Sequence, residues 1–150
     1  MGQARVAGQQ EKAARLKPVP VFLDESGFMM APLVRRGWAP RGATPLLCQR
    51  DRSRQKVSAI AALCVPSERN RVPCCFRFHP NASVDAPLVL SFLRQLAAQF
   101  QGRPFFLVWD RLQAHRAGVV KSFLSSGSAV GCVFLAAYAP ELNPVEYVWS

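Results

Sequence analysis

The sequence predicts a mixed α/β domain whose second half alternates strands with helices. Short apolar runs at residues 21–23, 56–65 and 74–78 are typical of strands, the last of them an edge strand. Further apolar runs at 105–109 and 130–136 each follow a stretch with helical periodicity. Because a helix between two strands favours parallel pairing, we expect a mixed sheet flanked by helices.

The composition is typical of one globular domain. The chain has 150 residues, half of them apolar, and no apolar run approaches the roughly 20 residues of a membrane span. The N-terminus lacks the apolar core of a secretory signal. We therefore expect a soluble, cytoplasmic protein with no membrane partner.

The charge is strongly basic, with 19 Lys and Arg against 9 Asp and Glu. An excess of cations indicates a polyanionic partner, and Arg suits phosphate because its guanidinium binds two oxygens at once. The alternative is a compositional bias of a GC-rich genome. We favour nucleic acid over this alternative.

The first strand, at residues 21–23, ends in the sequence Asp24-Glu25-Ser26-Gly27, which is typical of a turn. Residues 32–47 contain several prolines and glycines among basic residues. They predict a loop or an irregular hairpin.

The clearest helix is predicted over residues 86–101, where apolar side chains recur at three and four residue spacing along one face. Asp85 can cap its first turn, and Pro87 fits there because proline lacks only an N–H that would be unpaired anyway. Gly102 and Pro104 end it.

The later elements are shorter. The strand at 105–109 ends in Asp110, a short helix near Val120 is ended by residues 125–128, and another strand follows. Residues 140–144 predict a turn, and a last helix begins at Val145.

Two carboxylates share one context, since Asp24 and Asp110 each directly follow an apolar run. If their strands are neighbours, the side chains meet at the sheet edge where open α/β folds place their sites. Clustered acids in a basic protein indicate divalent cations, which prefer oxygen ligands. The alternative, that both residues only cap turns, stays open on spacing alone.

Four blocks resemble, in order, the catalytic-domain blocks of mariner-like DDE transposases. They are VFLDESGF at 21–28, RGWAPRG at 36–42, LVWDRLQAH at 107–115 and YAPELNPVEYVW at 138–149. The bacterial insertion-sequence group called IS-six-thirty is the branch that they resemble most. Arg111 departs from the pattern, because many relatives have Asn after the second aspartate.

The resemblance implies a ribonuclease-H-like fold and a catalytic triad of Asp24, Asp110 and Glu146. These carboxylates would hold two Mg²⁺ or Mn²⁺ ions. Glu141, which precedes Leu-Asn-Pro, is not the ligand in this family. The implied activity is metal-dependent DNA strand cleavage and strand transfer. The implied partners are transposon ends and target DNA, with a homodimer in the full-length enzyme acting at the nucleoid.

The resemblance also bears on domain organisation. We expect residues 1–17 to be a polar tail or linker remnant, and 18–150 to be the catalytic domain, truncated at its last helix. Such a fragment is expected to be inactive by itself. One alternative is an inactive truncated remnant that only binds nucleic acid. A ribonuclease acting on RNA hybrids is another, disfavoured by the Asn-Pro-x-Glu block.

The basic segment at residues 35–56 predicts a surface that contacts DNA phosphates near Asp24. The alternative is a solvated loop. The cations of this segment are Arg35, Arg36, Arg41, Arg50, Arg52, Arg54 and Lys56. Trp38 either stacks on a base or packs under the loop, and we favour packing. His115 either contacts phosphate or orients a carboxylate, or else has a capping or surface role.

Overall fold

The computed structural model describes residues 17–29, 38–43, 55–68, 70–128, 131–137 and 139–149. These ranges contain a five-stranded sheet of order β3-β2-β1-β4-β5 with helices along it. The strands are β1 Val19–Met29, β2 Lys56–Cys64, β3 Cys74–Pro80, β4 Phe105–Trp109 and β5 Gly131–Phe134. The helices are α1 Ala86–Phe100, α2 Gly118–Phe123 and α3 Glu146–Trp149.

The sheet is mixed, as predicted. Strand β2 pairs antiparallel with β1 on one side and with β3 on the other, and β3 is an edge strand. Strand β4 pairs in parallel with β1 on one side and with β5 on the other. The parallel half is the half in which helices separate the strands, because a parallel connection must return along the sheet.

The predicted turn after residue 23 is wrong. Strand β1 continues to Met29, and its second half pairs with β2 from Asp24 opposite Ala61 to Met29 opposite Lys56. The backbone groups of a neighbouring strand satisfy those of residues 24–29, and this pairing outweighs the turn preference of Asp, Ser and Gly. Asp24 therefore lies within a strand.

Helix α1 follows its sequence signals. The Asp85 carboxylate accepts a hydrogen bond from the Leu88 amide at 3.0 Å, and the helix ends where Gln101 adopts a left-handed conformation. Its buried residues Val89, Phe92, Leu93 and Leu96 form the predicted apolar stripe.

The hydrophobic core lies between α1 and one face of the sheet. It includes Val21 and Leu23 of β1 and Leu107 and Trp109 of β4, all fully buried. Because side chains alternate along a strand, the residues between these point to the opposite face. This alternation decides on which side of the sheet each candidate site residue lies.

The elements after β4 complete the chain that is described. Helix α2 forms as predicted, but residues Leu124–Ser128 continue it as a wider π-helical turn instead of ending it. A 3-10 turn at Pro140–Leu142 leads into α3. None of the helices in the described ranges is long and apolar enough to cross a membrane.

Candidate metal centre

Asp24 and Asp110 lie on neighbouring strands. The parallel register pairs Phe22 of β1 with Val108 of β4, and carried two residues further it sets Asp24 level with Asp110. Asp24 is 8% exposed, whereas Asp110, the first residue after β4, is exposed. The sequence predicted that these two side chains meet if their strands are neighbours, and β1 and β4 are neighbours.

One cavity of about 390 Å³ is lined by Asp24, Asp110 and Glu146 together. Arg111 and Asn143 line it as well. Three carboxylates and one guanidinium therefore border the same space at the end of β4. Glu141 is exposed and does not line this cavity.

Asn143 ties the segment that carries Glu146 to the sheet. Its side chain is almost fully buried, donates a hydrogen bond to the Leu23 carbonyl at 3.1 Å and accepts one from the Val145 amide at 3.3 Å. Val145 is fully buried, and the Glu146 amide donates to the Asn143 carbonyl at 3.1 Å. These contacts bring Glu146 over the middle of β1 at the first position of α3.

Trp149 ties the other end of α3 to the same strand. Its indole Nε1 donates to Oδ2 of Asp24 at 2.9 Å, and its ring meets the Phe28 ring edge-on with centroids 5.9 Å apart. Asp24 and Phe28 share one face of β1, since they are four residues apart. Helix α3 therefore covers the face opposite to α1.

The electrostatics of Asp24 reflect this crowding. Burial is the largest cause that raises its pKa from 3.8 to about 6. The nearby charges of Glu146 and Glu25 contribute to this rise, and the hydrogen bond from Trp149 offsets part of it. A cation between these carboxylates would favour the ionised form of Asp24.

The donors suit a hard divalent cation, because all three side chains are carboxylates and the cavity has room for water and phosphate oxygens. The three do not form a compact set within 4.8 Å. Among the residues that the structure describes, the one triple that does is Glu25, Asp110 and His115.

His115 is buried between two acids. Its Nε2 lies 2.8 Å from Oε1 of Glu25, and its Nδ1 lies 3.0 Å from Oδ1 and 3.2 Å from the carbonyl oxygen of Asp110. The ring stacks on Trp109 at a centroid distance of 4.2 Å. A surface or capping role for His115 is therefore wrong, and the geometry fits the hypothesis that it orients a carboxylate.

Two opposing effects act on His115. Burial lowers its pKa, but the hydrogen bond and negative charge of Glu25, followed by those of Asp110, outweigh burial and raise the pKa. Both ring nitrogens face oxygen acceptors, which is the environment that a protonated imidazole needs. The charged form of His115 is thus favoured.

Glu25 and Trp149 are site residues that the sequence argument gave no role. Glu25 had a weak signal, because alternation places it on the face of β1 opposite to Asp24, where His115 lies. Trp149 had none, since its partner Asp24 is far away in the chain. Only the packing of α3 on β1 joins them.

The basic segment is described in part. Arg41 is exposed in a short turn, and Lys56 at the start of β2 is half-buried with its ammonium hydrogen-bonded to the Ser83 hydroxyl. Trp38 is fully exposed, so the packing that we favoured for it is wrong. The remaining cations lie outside the described residues: Arg35, Arg36, Arg50, Arg52 and Arg54.

Solved structures of Mos1 transposase share this fold. The chain matches the Mos1 paired-end complex with the left transposon end at a TM-score of 0.62 and 18% identity, covering 96% of this chain and 43% of that one. The paired-end complex with Mn matches at 0.61 and 17%, covering 95% and 43%. The Mos1 catalytic domain matches at 0.51 and 17%, covering 96% and 62%.

These matches confirm the predicted fold, a ribonuclease-H-like mixed sheet with flanking helices. The chain spans less than half the length of the Mos1 chains in the paired-end complexes. None of the curated proteins matches it in sequence.

A protein-family model matches residues 19–150, from the start of β1 through α3. The matched range contains every strand of the sheet and all three carboxylates of the cavity. The family is described as the DDE superfamily endonuclease. The chain belongs to the DDE superfamily endonuclease family.

Proposed function

We propose that this chain is the catalytic domain of a DNA transposase, which cleaves DNA strands and transfers them to a target with Mg²⁺ or Mn²⁺ held by Asp24, Asp110 and Glu146. One observation carries the proposal. The three carboxylates line a single cavity in a protein of net charge +10, where burial and the neighbouring acids raise the pKa of Asp24 to about 6.

The bound cations would activate an attacking oxygen and neutralise charge on the phosphate. The residues of the chain supply positioning. Asp24 lines the cavity from β1, Glu146 from the start of α3 and Asp110 from the end of β4. Arg111, exposed at the cavity wall, presents a guanidinium that can bind two phosphate oxygens at once.

The finer identity is also a proposal. We place the chain in the bacterial IS-six-thirty type, with 18–150 as the catalytic domain, on the four sequence blocks that resemble that group. The Mos1 structures named above include paired-end complexes with transposon ends and with Mn. By analogy, transposon ends and target DNA are the proposed substrates, bound by a homodimer at the nucleoid in the cytoplasm.

Mn²⁺ binding to the purified chain tests the site directly, by isothermal titration calorimetry. Asp110→Asn and Glu146→Gln should each weaken binding at least tenfold, because each removes a charged oxygen ligand and leaves the shape of the side chain. The matched control is Glu141→Gln, which removes an exposed acid five residues from Glu146 and should leave affinity within about twofold.

Other outcomes would contradict the proposal. Equal loss in Glu141→Gln and Glu146→Gln would mean that the third ligand is misassigned. If the purified chain binds DNA but shows no measurable Mn²⁺ binding, the result would favour the alternative function, a remnant that only binds nucleic acid.

A further inference from the structure

His115 lies at the centre of a buried network that reaches the proposed metal centre from the α1 side. Its side chain is fully enclosed, that of Glu25 is 9% exposed and that of Asp110 is 54% exposed. The network therefore runs from the interior, at Glu25, to the cavity, at Asp110. Nothing in the proposed function uses Glu25 or His115.

The backbone after β4 folds so that His115 returns to Asp110. The Leu112 amide donates to Oδ1 of Asp110 at 2.9 Å, and the His115 amide donates to the Leu112 carbonyl at 3.1 Å as the 3-10 turn Gln113–Arg116 begins. Oδ1 of Asp110 thus accepts a hydrogen bond from the Leu112 amide and lies 3.0 Å from Nδ1 of His115, which also hydrogen-bonds to the Asp110 carbonyl oxygen at 3.2 Å. In the described part of the chain, no hydrogen bond engages Oδ2.

The imidazole ring itself is held on three sides. Trp109 stacks against it at an interplanar angle of 10°. Oε1 of Glu25 contacts Nε2, and Oδ1 of Asp110 contacts Nδ1. A ring that is fixed in this way can impose one orientation on the carboxylate that it contacts.

We propose that His115 is a positioning residue that holds Oδ1 of Asp110 and leaves Oδ2 directed to the metal cavity, with Glu25 fixing the orientation of the ring. This inference rests on the proposed function for the identity of the ligand that Asp110 holds. The contact of His115 with Asp110 itself is present in the protein without metal.

The same residues also form a compact triple of possible metal ligands. The geometry disfavours a cation among them, because the two ring nitrogens point in diverging directions and each already faces a different carboxylate. One nitrogen bound to a metal would have to give up its acid. Direct coordination by His115 is therefore an outcome for the experiment to exclude.

Two amide substitutions separate the halves of the network. The amide nitrogen of Asn in His115→Asn takes the place of Nδ1 and can still donate to Asp110. That of Gln in His115→Gln takes the place of Nε2 and keeps only the Glu25 contact. If His115 acts through Asp110, the smaller Asn should preserve the site better than the larger Gln, the reverse of what packing alone predicts.

The first measurement is made without metal, on the full chain. The amide proton of Leu112, which donates to the same Oδ1, should keep its NMR shift and exchange protection in His115→Asn and lose them in His115→Gln. Equal perturbation by both variants would overturn the proposal, whatever the protein does with metal.

The second measurement is Mn²⁺ affinity. His115→Gln should weaken binding on the order of tenfold and His115→Asn much less, as for other residues that orient a ligand. Glu25→Gln, which keeps an acceptor for Nε2, should behave like His115→Asn. The wild-type chain could bind no Mn²⁺ while the Leu112 amide still responds to the two His115 variants as expected. The proposed function would then be wrong, but the positioning of Asp110 by His115 would be confirmed.

A spectroscopic signature settles direct coordination. We expect pulsed EPR to show the same nitrogen coupling to bound Mn²⁺ in the wild-type chain and in His115→Gln. A coupling that is present in the wild type and absent in the variant would come from a His115 nitrogen bound to the metal. Such a coupling would make His115 a ligand and overturn the positioning role.

Discussion

The indole of Trp149 donates a hydrogen bond to the carboxylate of Asp24 across 2.9 Å, although 125 residues separate the two in the chain. The contact fixes one oxygen of Asp24 and holds the last turn of α3 against β1. It also offsets part of the rise that burial and neighbouring acids cause in the pKa of Asp24, which is about 6 with this hydrogen bond in place. One hydrogen bond therefore affects both the geometry and the ionisation of the proposed ligand.

Trp149→Phe should make metal binding more dependent on pH. The substitution keeps the aromatic contact with Phe28 but removes the N–H donor, so the pKa of Asp24 should rise above 6. Because a metal ligand must be deprotonated, Mn²⁺ affinity should fall more at pH 6 than at pH 8.5 in calorimetric titrations. Val148→Ala, at an exposed position of the same helix, is the control. An equal loss at both pH values would show that Trp149 only holds Glu146 in place.

Asp24→Asn should stabilise the metal-free protein at neutral pH. The folded pKa of Asp24 lies above its usual 3.8, so ionisation opposes folding, and stability is lost as pH rises from about 4 through about 6. The neutral amide keeps the acceptor for Trp149 and avoids this cost. At pH 8 the free energy of unfolding should increase by as much as about 3 kcal/mol.

The gain from Asp24→Asn should fade towards pH 4, where the wild-type carboxyl is also neutral. Urea denaturation at both pH values measures it, with Glu141→Gln as a variant of equal charge change at an exposed site. An increase in the free energy of unfolding that is the same at both pH values would show that the ionisation of Asp24 is not its cause.

Asn143→Ala should weaken both stability and metal binding. It removes the donor to Leu23 and the acceptor for the Val145 amide in a buried place, which costs about 1–3 kcal/mol for each group left without a partner. Since the same contacts place Glu146, Mn²⁺ affinity should fall with them. Thermal denaturation and calorimetry are the measurements, and Leu142→Ala at an exposed neighbouring position is the control. Normal Mn²⁺ affinity in a destabilised variant would show that Asn143 does not position Glu146.

Arg41→Ala combined with Lys56→Ala should reduce the salt dependence of DNA binding. Each phosphate contact that is lost lowers the slope of log affinity against log salt by about one unit, without regard to sequence. The double variant Arg94→Ala and Arg103→Ala changes net charge equally at exposed positions on and after α1. Fluorescence anisotropy over a salt series compares them. The same slope in both variants would leave the basic segment as a solvated loop.

Local patterns were sufficient for most elements. The apolar stripe and caps of α1 predicted its bounds to within one residue, because helix signals depend on neighbours a few positions away. The same logic failed at residues 24–27, where Asp, Ser and Gly favour a turn but β2 supplies a partner strand. It failed at Trp38 as well, since no local pattern reports whether a loop residue finds a surface to pack on.

By itself the sequence determined the order of the elements, the fold class and the resemblance that singles out three carboxylates. The tertiary structure decided how the acids are distributed. Pairing of β1 with β2 extends the strand through Asp24 and Glu25, and alternation then sends Asp24 towards Trp149 and Glu25 towards His115. Contacts between residues so distant in the chain depend on which strands are neighbours and which faces are covered, and this information does not exist in any local stretch of sequence.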